Sequence, residues 1–380
     1  MADWEHGQLA TAAMAAIQRN LPWLRSDTLS SSEKSSFEHP IAWHRIASSG
    51  FSDSSIFQLK LYSGSFAVRS WPNTQASVNK VAFWDRLQRS DVFRPFPKLV
   101  PWIGYSQEQI LLLPWDGKLW SLSEWIDGRP FQESDLSLER VGELASILAK
   151  IHVVTLESSV PEALLLASGH PKDQYNMGPS KTLVERANFL DRVSLRWKAS
   201  VRASRFFQRH ELVAPLTQCL ATIDACKKPW GEQLEKISRA DRSYHWIVRD
   251  LWYENVLVRP SGEFASIVDL GAARFDWPGL DFIRLFGSLT GLACTQSFSR
   301  TPTRDWWEKA YAIYTSSHPN HSLGSVNECI DLNEIATALS LAQWIEWIEN
   351  RTVKLSSVED ENRVARRIRQ LCQAASCLPS

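Results

Sequence analysis

The feature that most constrains this sequence is a short strand-like segment, residues 255–269, within a part of the chain that otherwise shows helical periodicity. The residues P-S-G-E at 260–263 have the composition of a turn, so the segment is predicted to form a β-hairpin. A hairpin returns the chain to its starting point. We therefore expect Asn255 at its entry and Asp269 at its exit to lie side by side.

Three polar residues of this region form a pattern suited to phosphoryl transfer. Mg²⁺ is usually held by one or two carboxylate or amide oxygens, while substrate phosphates and water complete its octahedron. Asn255 and Asp269 are the predicted metal ligands, and Asp250 on the preceding loop is placed to accept a proton from an attacking hydroxyl. Asp250 is therefore the predicted catalytic residue; the alternative is a surface turn with solvated carboxylates.

Length and composition indicate an ordinary folded protein. The chain has 380 residues, of which 44% are hydrophobic and 22% charged, values typical of globular domains. Lys plus Arg and Asp plus Glu both number 42, so the formal charge is zero and nothing favours a nucleic-acid partner. The six cysteines include no C-x-x-C pair and no zinc spacing.

The sequence also gives no indication of a membrane partner or of export. Asp3 and Glu5 precede the apolar stretch 10–17, the reverse of a signal peptide, and no apolar run has the length of a membrane span. We expect a cytoplasmic protein; the oligomeric state is left open.

The chain divides into three parts by local pattern. Residues 1–40 combine a predicted helix, 9–18, with a serine-rich linker, 26–36. Residues 41–127 are predicted to contain strands and one helix, and residues 128–380 are mainly helical, beginning with a periodic helix. The predicted strands are 56–61, 65–71 and 109–113, and the predicted helices are 77–88 and 138–152.

The motif residues are similar to those of the aminoglycoside phosphotransferase family of small-molecule kinases. In that family a catalytic Asp is followed by an Asn, then by an apolar-Asp-apolar-Gly-Ala stretch and a further Asp. Here these positions are Asp250, Asn255, residues 268–272 and Asp281. The stretch L-A-K-I-H ending at His152 is similar to the family's helix that ends in a His. The resemblance spans about residues 41 to 350.

This resemblance implies a bilobal, protein-kinase-like α+β fold. Its N-lobe, 41–127, would be an antiparallel sheet plus a helix that binds nucleotide and ends in a hinge, and its mainly helical C-lobe, 128–380, would carry the catalytic β-hairpin. His152 and Asp281 would be structural supports of the catalytic loop. The implied nucleotide-binding residues are a phosphate loop, a strand cation and the hinge: Gly50, Phe51, Ser52, Arg69, Glu124, Trp125 and Ile126.

The implied activity is transfer of the γ-phosphoryl group of ATP, or GTP, with Mg²⁺, to a hydroxyl of a small molecule such as an aminoglycoside-like compound. A protein kinase is disfavoured because only 11 residues separate Asp269 from Asp281, which leaves no room for a long activation segment.

The sequence departs from the family pattern at two places. Val248-Arg249 stands where His-Gly is usual, and Arg69 stands where the strand usually has Lys. Asp85 is the predicted helix carboxylate partner of Arg69. The alternative function is therefore a catalytically weak, nucleotide-binding pseudokinase that acts as an interaction scaffold.

Two helical segments carry opposite charge. Residues 181–211 have eight Lys or Arg against three acidic residues, whereas residues 326–350 have five acidic residues and no Lys or Arg. Either segment can be a solvated helix face. Because the resembled family lines its acceptor cleft with acidic groups, we expect residues 326–350 to approach Asp250 and the acceptor to be neutral or cationic.

Overall fold

The computed structural model describes fifteen stretches of the chain, which form two compact units. Unit 1 holds the described residues up to Pro130 and the segment Val256–Gly271, and unit 2 holds those from Phe131 to Asn255 and from Ala272 onward. The predicted linker, 26–36, lies outside the described residues. The described residues are 8–17, 19, 42–46, 55–61, 64–88, 95–103, 109–157, 179–194, 197–240, 242–293, 302–318, 323–350, 352–353, 355 and 357–376.

Unit 1 is built on an antiparallel sheet. Its helices are α1 (8–17) and α2 (Gln75–Gln88). Its strands are β1 (Ala42–Ile46), β2 (Ile56–Leu61), β3 (Gly64–Pro72), β4 (Leu99–Val100), β5 (Trp102–Ile103), β6 (Gln109–Ile110), β7 (Leu113–Trp115), β8 (Lys118–Glu124), β9 (Arg129–Pro130), β11 (Val256–Val258) and β12 (Phe264–Ile267). The main sheet has the strand order β1-β2-β3-β8-β4, and β7 also pairs with β8. Two smaller sheets have the orders β12-β11-β9 and β5-β6.

The core of unit 1 follows from two periodicities. On β2, the alternate residues Phe57, Leu59 and Leu61 are buried, as the two-residue repeat of a strand requires. Helix α1 adds Leu9 and Ile17 to the same cluster, at helical spacing. The helix therefore contributes directly to the core of the sheet.

Strands β2 and β3 and helix α2 confirm their predictions, but the predicted strand 109–113 was wrong. It is split into β6 and β7 because β6 pairs with β5 whereas β7 pairs with β8. Strand β8, which pairs with β3, β4 and β7, was not predicted. Residues 119–123 of β8 are all buried, so the strand lacks the alternation by which a half-exposed strand is recognised.

Unit 2 is mainly helical, in agreement with the sequence, and contains a two-stranded sheet that was not predicted. The predicted helix 138–152 continues to Glu157. Its helices are α3 (Leu138–Glu157), α4 (Lys181–Arg192), α5 (Trp197–Ala203), α6 (Arg205–Arg209), α7 (Val213–Ser238), α8 (Gly279–Ala293), α9 (Pro302–Ser317), α10 (Val326–Glu349) and α11 (Val358–Ser376), and its strands are β10 (His245–Ile247) and β13 (Arg274–Asp276).

The pair β10 and β13 is tied to helix α4 by a buried carboxylate. Asp276, opposite His245 in the register, is 1% exposed. It accepts hydrogen bonds from Ser180 Oγ at 2.6 Å and from the backbone N–H of Thr182 at 3.0 Å. Because Ser180 is also the N-cap of α4, one carboxylate fixes both the sheet and the start of that helix.

No helix among the residues that the structure describes is long and apolar enough to cross a membrane.

We predict that Leu9→Ala lowers the free energy of unfolding of unit 1 by about 2–5 kcal/mol, because it leaves a cavity beneath the sheet. Leu9 is 1% exposed, whereas Leu138, at the start of α3, is 42% exposed. Leu138→Ala is the matched control and should change stability by less than about 0.5 kcal/mol. Urea unfolding followed by tryptophan fluorescence measures both variants. Equal effects would mean that α1 does not contribute to the core.

Candidate functional site

The loop after β10 is held by a carboxylate from helix α8. Asp281 accepts hydrogen bonds from the backbone N–H groups of Val248 at 2.7 Å and Arg249 at 2.5 Å. Arg249 has a positive φ of 68°, which is uncommon for a residue with a side chain. The two bonds stabilise this backbone conformation, and the side chain of Asp250 follows directly from it.

His152 on α3 completes this support. Its Nδ1 lies 2.6 Å from the Tyr314 hydroxyl and its Nε2 lies 3.3 Å from Asp281 Oδ2, with both the imidazole and the carboxylate fully buried. Burial, followed by the charge of His318, holds the pKa of His152 well below its usual range. Burial raises the pKa of Asp281 to about 7, against the opposing effect of its two backbone N–H donors.

Asn255 ends a 3₁₀ turn, Tyr253–Asn255, just before the hairpin. Its Nδ2 donates to the backbone carbonyl of Asp250 at 2.8 Å. A carbonyl acceptor requires the amide nitrogen at this position, so Oδ1 is the atom left to bind a ligand.

Asp250 is paired with an arginine that the sequence analysis missed. Arg284 Nη2 lies 3.0 Å from Asp250 Oδ1, and its Nε lies 3.3 Å from the same oxygen. Burial raises the pKa of Asp250, but Arg284 and then Arg367 outweigh burial, so that the pKa lies below its usual value. The carboxylate, whose side chain is 42% exposed, is therefore ionised at neutral pH.

Two guanidinium groups contact the ring of Trp252, close to Asp250. The Cζ atoms of Arg284 and Arg367 lie 4.5 Å and 4.3 Å from the centre of its ring, distances typical of cation–π contacts. Arg367, on the C-terminal helix α11, also pairs with Glu254 at 3.0 Å. Helix α11 therefore supplies part of the surroundings of Asp250.

The hairpin itself lies in unit 1, with Val256 of β11 opposite Ile267 of β12. Asp269 follows with a φ of 65°. Its Oδ1 accepts hydrogen bonds from Arg69 Nη2 at 2.8 Å and from the backbone N–H of Gly271 at 3.1 Å. Oδ2 takes no part in these two bonds.

Gly271 is required by this corner. A Cβ at this position would lie 2.7 Å from Arg69 Nη2 and 2.9 Å from Asp269 Oδ1, closer than real Cβ contacts. Lys80 of α2 donates to the Gly271 carbonyl at 2.5 Å. The predicted pairing of Arg69 with Asp85 was wrong: Arg69 pairs with Asp269, because the turn at Gly271 brings that carboxylate to the end of the arginine side chain.

The predicted nucleotide-binding residues are only partly described. Gly50, Phe51 and Ser52 lie outside the described residues. At the hinge, the backbone N–H of Glu124 donates to the Lys98 carbonyl at 2.8 Å, and that of Trp125 donates to the Ser65 carbonyl at 2.9 Å. These two N–H groups are therefore already hydrogen-bonded within unit 1. Ile126 is the next hinge residue in the chain.

The expectation that residues 326–350 approach Asp250 is not supported. Three of the five acidic residues there have partners elsewhere in unit 2: Glu346 pairs with Arg192 at 3.8 Å, Asp331 accepts from Gln233 at 3.2 Å, and Glu328 pairs with Arg242. The charged groups that act most strongly on Asp250 are instead arginines: Arg284, Arg367 and Arg249.

One of these arginines left a signal in the sequence. Arg284 follows Asp281 by three residues, so a helix carrying Asp281 beneath the loop presents Arg284 on nearly the same face. The other residues of α8 are buried, and Arg284 is the exception. Arg367 is far from Asp250 in the sequence, and no pattern connects them.

Within the described part of the chain, no group of three or more His, Cys, Asp or Glu side chains is placed to hold a metal ion.

The chain is similar to known proteins. A family model described as the phosphotransferase enzyme family (APH) matches residues 43–312. No curated protein matches the chain.

Solved structures also match. The amicoumacin kinase hAmiN in complex with AMP-PNP, Ca2+ and Ami has a TM-score of 0.54 and 11% identity, over 88% of this chain and 89% of that one. The spectinomycin phosphotransferase APH(9)-Ia in complex with ADP and spectinomycin has a TM-score of 0.54 and 14% identity, over 89% and 94%. An aminoglycoside phosphotransferase from Alicyclobacillus acidocaldarius has a TM-score of 0.51 and 13% identity, over 91% and 97%. These likenesses confirm the predicted protein-kinase-like fold.

The pKa of Asp281 predicts a pH dependence of stability. Because its pKa is about 7 in the folded protein and 3.8 ordinarily, the folded state binds more protons than the unfolded state between these values. Stability should therefore fall as pH rises from about 4 through about 7. Relative to Asp281→Asn, which cannot titrate, wild type should lose roughly 1–3 kcal/mol between pH 5 and 8 in urea unfolding.

The control for this measurement is Asp305→Asn, because the Asp305 side chain is exposed on α9. It should follow wild type at every pH. Parallel profiles for wild type and Asp281→Asn would contradict the raised pKa.

Proposed function

Because the chain belongs to the phosphotransferase enzyme family, we propose that it transfers the γ-phosphoryl group of ATP or GTP to a hydroxyl of a small molecule. The observation that carries this proposal is the held position of Asp250. Its loop is braced by the buried Asp281, and its carboxylate is ionised and accessible. An ionised, accessible carboxylate is what a hydroxyl needs in order to lose its proton.

In the proposed reaction, Asp250 accepts a hydrogen bond from the acceptor hydroxyl and takes its proton as the oxygen attacks. The new bond joins that oxygen to the γ-phosphorus, the bond to the β-phosphate oxygen breaks, and the nucleoside diphosphate leaves. Positioning supports this step, because Asp281 holds the loop that carries Asp250.

Asn255 and Asp269 are the proposed ligands of Mg²⁺. Their oxygens suit this hard cation, and each has one that is not used in the hydrogen bonds described above: Oδ1 of Asn255 and Oδ2 of Asp269. Two protein oxygens are sufficient, because Mg²⁺ in such sites takes its remaining ligands from phosphates and water. When bound, the ion neutralises charge on the nucleotide phosphates.

The remaining predicted residues are proposed to form the nucleotide site. Arg69, whose side chain is 11% exposed, supplies a cation for the phosphates. Gly50, Phe51 and Ser52 are the proposed phosphate loop. Glu124, Trp125 and Ile126 form the proposed hinge, in which the backbone of Ile126 is the candidate contact to the base.

We predict that Asp250→Asn lowers phosphoryl transfer at least about 100-fold, because it removes a positioned base. Nucleotide affinity should stay within about two-fold, since the proposed contact of Asp250 is to the acceptor and not to the nucleotide. Release of ADP and calorimetric titration with nucleotide measure the two effects. Asp224→Asn, which changes an exposed carboxylate on α7, should behave as wild type.

Two results would count against this assignment of the base. Unchanged turnover in Asp250→Asn would remove Asp250 from the mechanism. Nucleotide binding by wild type without transfer to any acceptor would favour the pseudokinase scaffold.

We predict separately that Asp269→Ala removes the metal dependence of nucleotide binding. In wild type, affinity should fall at least about 10-fold when EDTA replaces Mg²⁺, because the triphosphate charge then lacks its main counter-charge. In Asp269→Ala the two conditions should give the same, weak affinity. Calorimetry on folded protein, verified by circular dichroism, measures this, with Asp224→Ala as the control. Wild-type affinity that is equal with and without metal would exclude the role given to Asn255 and Asp269.

A further inference from the structure

Four arginines of unit 2 lie on or beside the loop that carries Asp250, and we call them the arginine cluster: Arg186, Arg249, Arg284 and Arg367. Arg249 precedes Asp250 in the chain, and Arg284 contacts its carboxylate. Arg284 and Arg367 share the ring of Trp252. Arg186 directly follows Glu185 on α4, and the Glu185 carboxylate lies 3.3 Å from Arg249, so α4 brings Arg186 to this loop. Burial, followed by the charges of Arg284 and Arg249, lowers the pKa of Arg186 to about 10, so Arg186 stays protonated at neutral pH.

The cluster is incompletely neutralised by the protein. Arg284 pairs with Asp250, and Arg367 pairs with Glu254. Arg249 pairs with Glu185 at 3.3 Å, but Glu185 also pairs with Arg274 at 3.0 Å and so serves two cations.

The opposite charge that acts on Arg186 is that of Asp276, but Asp276 already accepts hydrogen bonds from Ser180, Thr182 and Arg274. The Nη1 atom of Arg186 is buried and lacks a hydrogen-bond partner within the described part of the chain. A buried, charged donor without an acceptor is costly, and a bound oxyanion would supply the missing acceptor.

Resting on the proposed phosphoryl transfer, we infer that the acceptor carries an oxyanion, a carboxylate or a phosphate, beside the hydroxyl, and that Arg186 and Arg284 bind it. The planar fork of a guanidinium matches the two oxygens of either group. The site would therefore take a hydroxy acid or a phosphorylated hydroxy compound.

The contact between Arg284 and Asp250 explains why binding of an oxyanion favours catalysis. While Arg284 holds Asp250 Oδ1, that oxygen is less able to receive a hydroxyl proton. An oxyanion that draws Arg284 toward itself releases Asp250 Oδ1 for the hydroxyl. A cationic acceptor would instead meet Arg186, Arg249 and Arg367 as like charges, and the repulsion would weaken its binding.

One arginine of the cluster lies outside the part of the chain that the family model matches. Arg367 lies on α11, Val358–Ser376, beyond the residues 43–312 that the family model matches. The positive surroundings of Asp250 thus depend in part on a helix outside that region.

The test compares acceptors that share one ring and differ in charge: glucose, glucosamine, glucuronate and glucose 6-phosphate. Binding to the full-length protein is measured by calorimetry, and turnover by ADP release with Mg²⁺ and ATP. Glucuronate or glucose 6-phosphate should bind at least about 10-fold more tightly than glucose, and glucosamine more weakly. The affinity for the anionic probes should fall as salt rises. Tighter binding of glucuronate would identify the oxyanion as a carboxylate, and tighter binding of glucose 6-phosphate would identify it as a phosphate.

Two variants assign the effect to the cluster. Arg186→Gln should raise the KM and the Kd for the anionic probe roughly 10- to 100-fold with a smaller change in kcat, because it removes a charge-assisted hydrogen bond. Arg186→Lys should recover part of this loss. Arg304→Gln, on the exposed surface of α9, is the matched control and should behave as wild type.

The results distinguish this inference from the proposed function. Absence of nucleotide binding would defeat the proposed function, while the calorimetric binding of the anionic probes still tests the cluster. A preference for glucosamine, equal affinity for all four probes, no binding of either anionic probe, or an unchanged Kd in Arg186→Gln would overturn the oxyanion site.

Discussion

The pair of hydrogen bonds from the loop backbone to Asp281 is the contact on which the rest of the candidate site depends. Arg249 has a left-handed backbone conformation that a residue with a side chain adopts only when its surroundings require it. Asp281 meets that requirement by accepting from Val248 and Arg249, and His152 in turn lies against Asp281. Asp281 and His152 therefore support the loop from beneath, and the position of Asp250 depends on these two buried side chains.

In unit 1, the left-handed backbone conformation of Asp269 is likewise held by hydrogen bonds to a carboxylate. The carboxylate of Asp269 accepts hydrogen bonds from the backbone N–H of Gly271 and from Arg69. A side chain at position 271 would collide with Arg69 and with the Asp269 carboxylate. The substitution of the usual lysine by Arg69 is therefore compatible with the fold. A longer, forked cation reaches Asp269 and remains nearly buried over Trp71, at 4.4 Å from the ring centre.

The electrostatics around Asp250 differ from what charge counting along the chain suggests. Helix α10 is the most acidic segment, yet three of its five carboxylates are engaged by Arg192, Arg242 and Gln233 elsewhere in unit 2. The charged groups that act most strongly on Asp250 are three arginines from separate parts of the chain: Arg284 of α8, Arg367 of α11 and Arg249 of the loop itself. A charged run in sequence therefore says little about the charge of a site, because a site is assembled from single residues of distant segments.

The sequence by itself determined the hairpin, the helical character of unit 2, and the identity of Asp250, Asn255 and Asp269 as the polar residues of interest. Those features depend on local rules: turn composition, strand and helix periodicity, and fixed spacing along one short segment. Strand β8 was not predicted because residues 119–123 are all buried. The strand therefore lacks the alternation of apolar and polar residues by which a half-exposed strand is recognised.

Only the tertiary structure decided the partners. Arg69 pairs with Asp269 and not with Asp85. Arg284 and Arg367 both contact the ring of Trp252. Both results depend on how the helices and strands pack in the folded chain. A side chain of this length can reach several carboxylates or rings, and local sequence does not distinguish among them. Residues 250 and 367 come together because helix α11 packs against α8 and α10, and that packing is set by the apolar core of unit 2, in which neither charged group takes part.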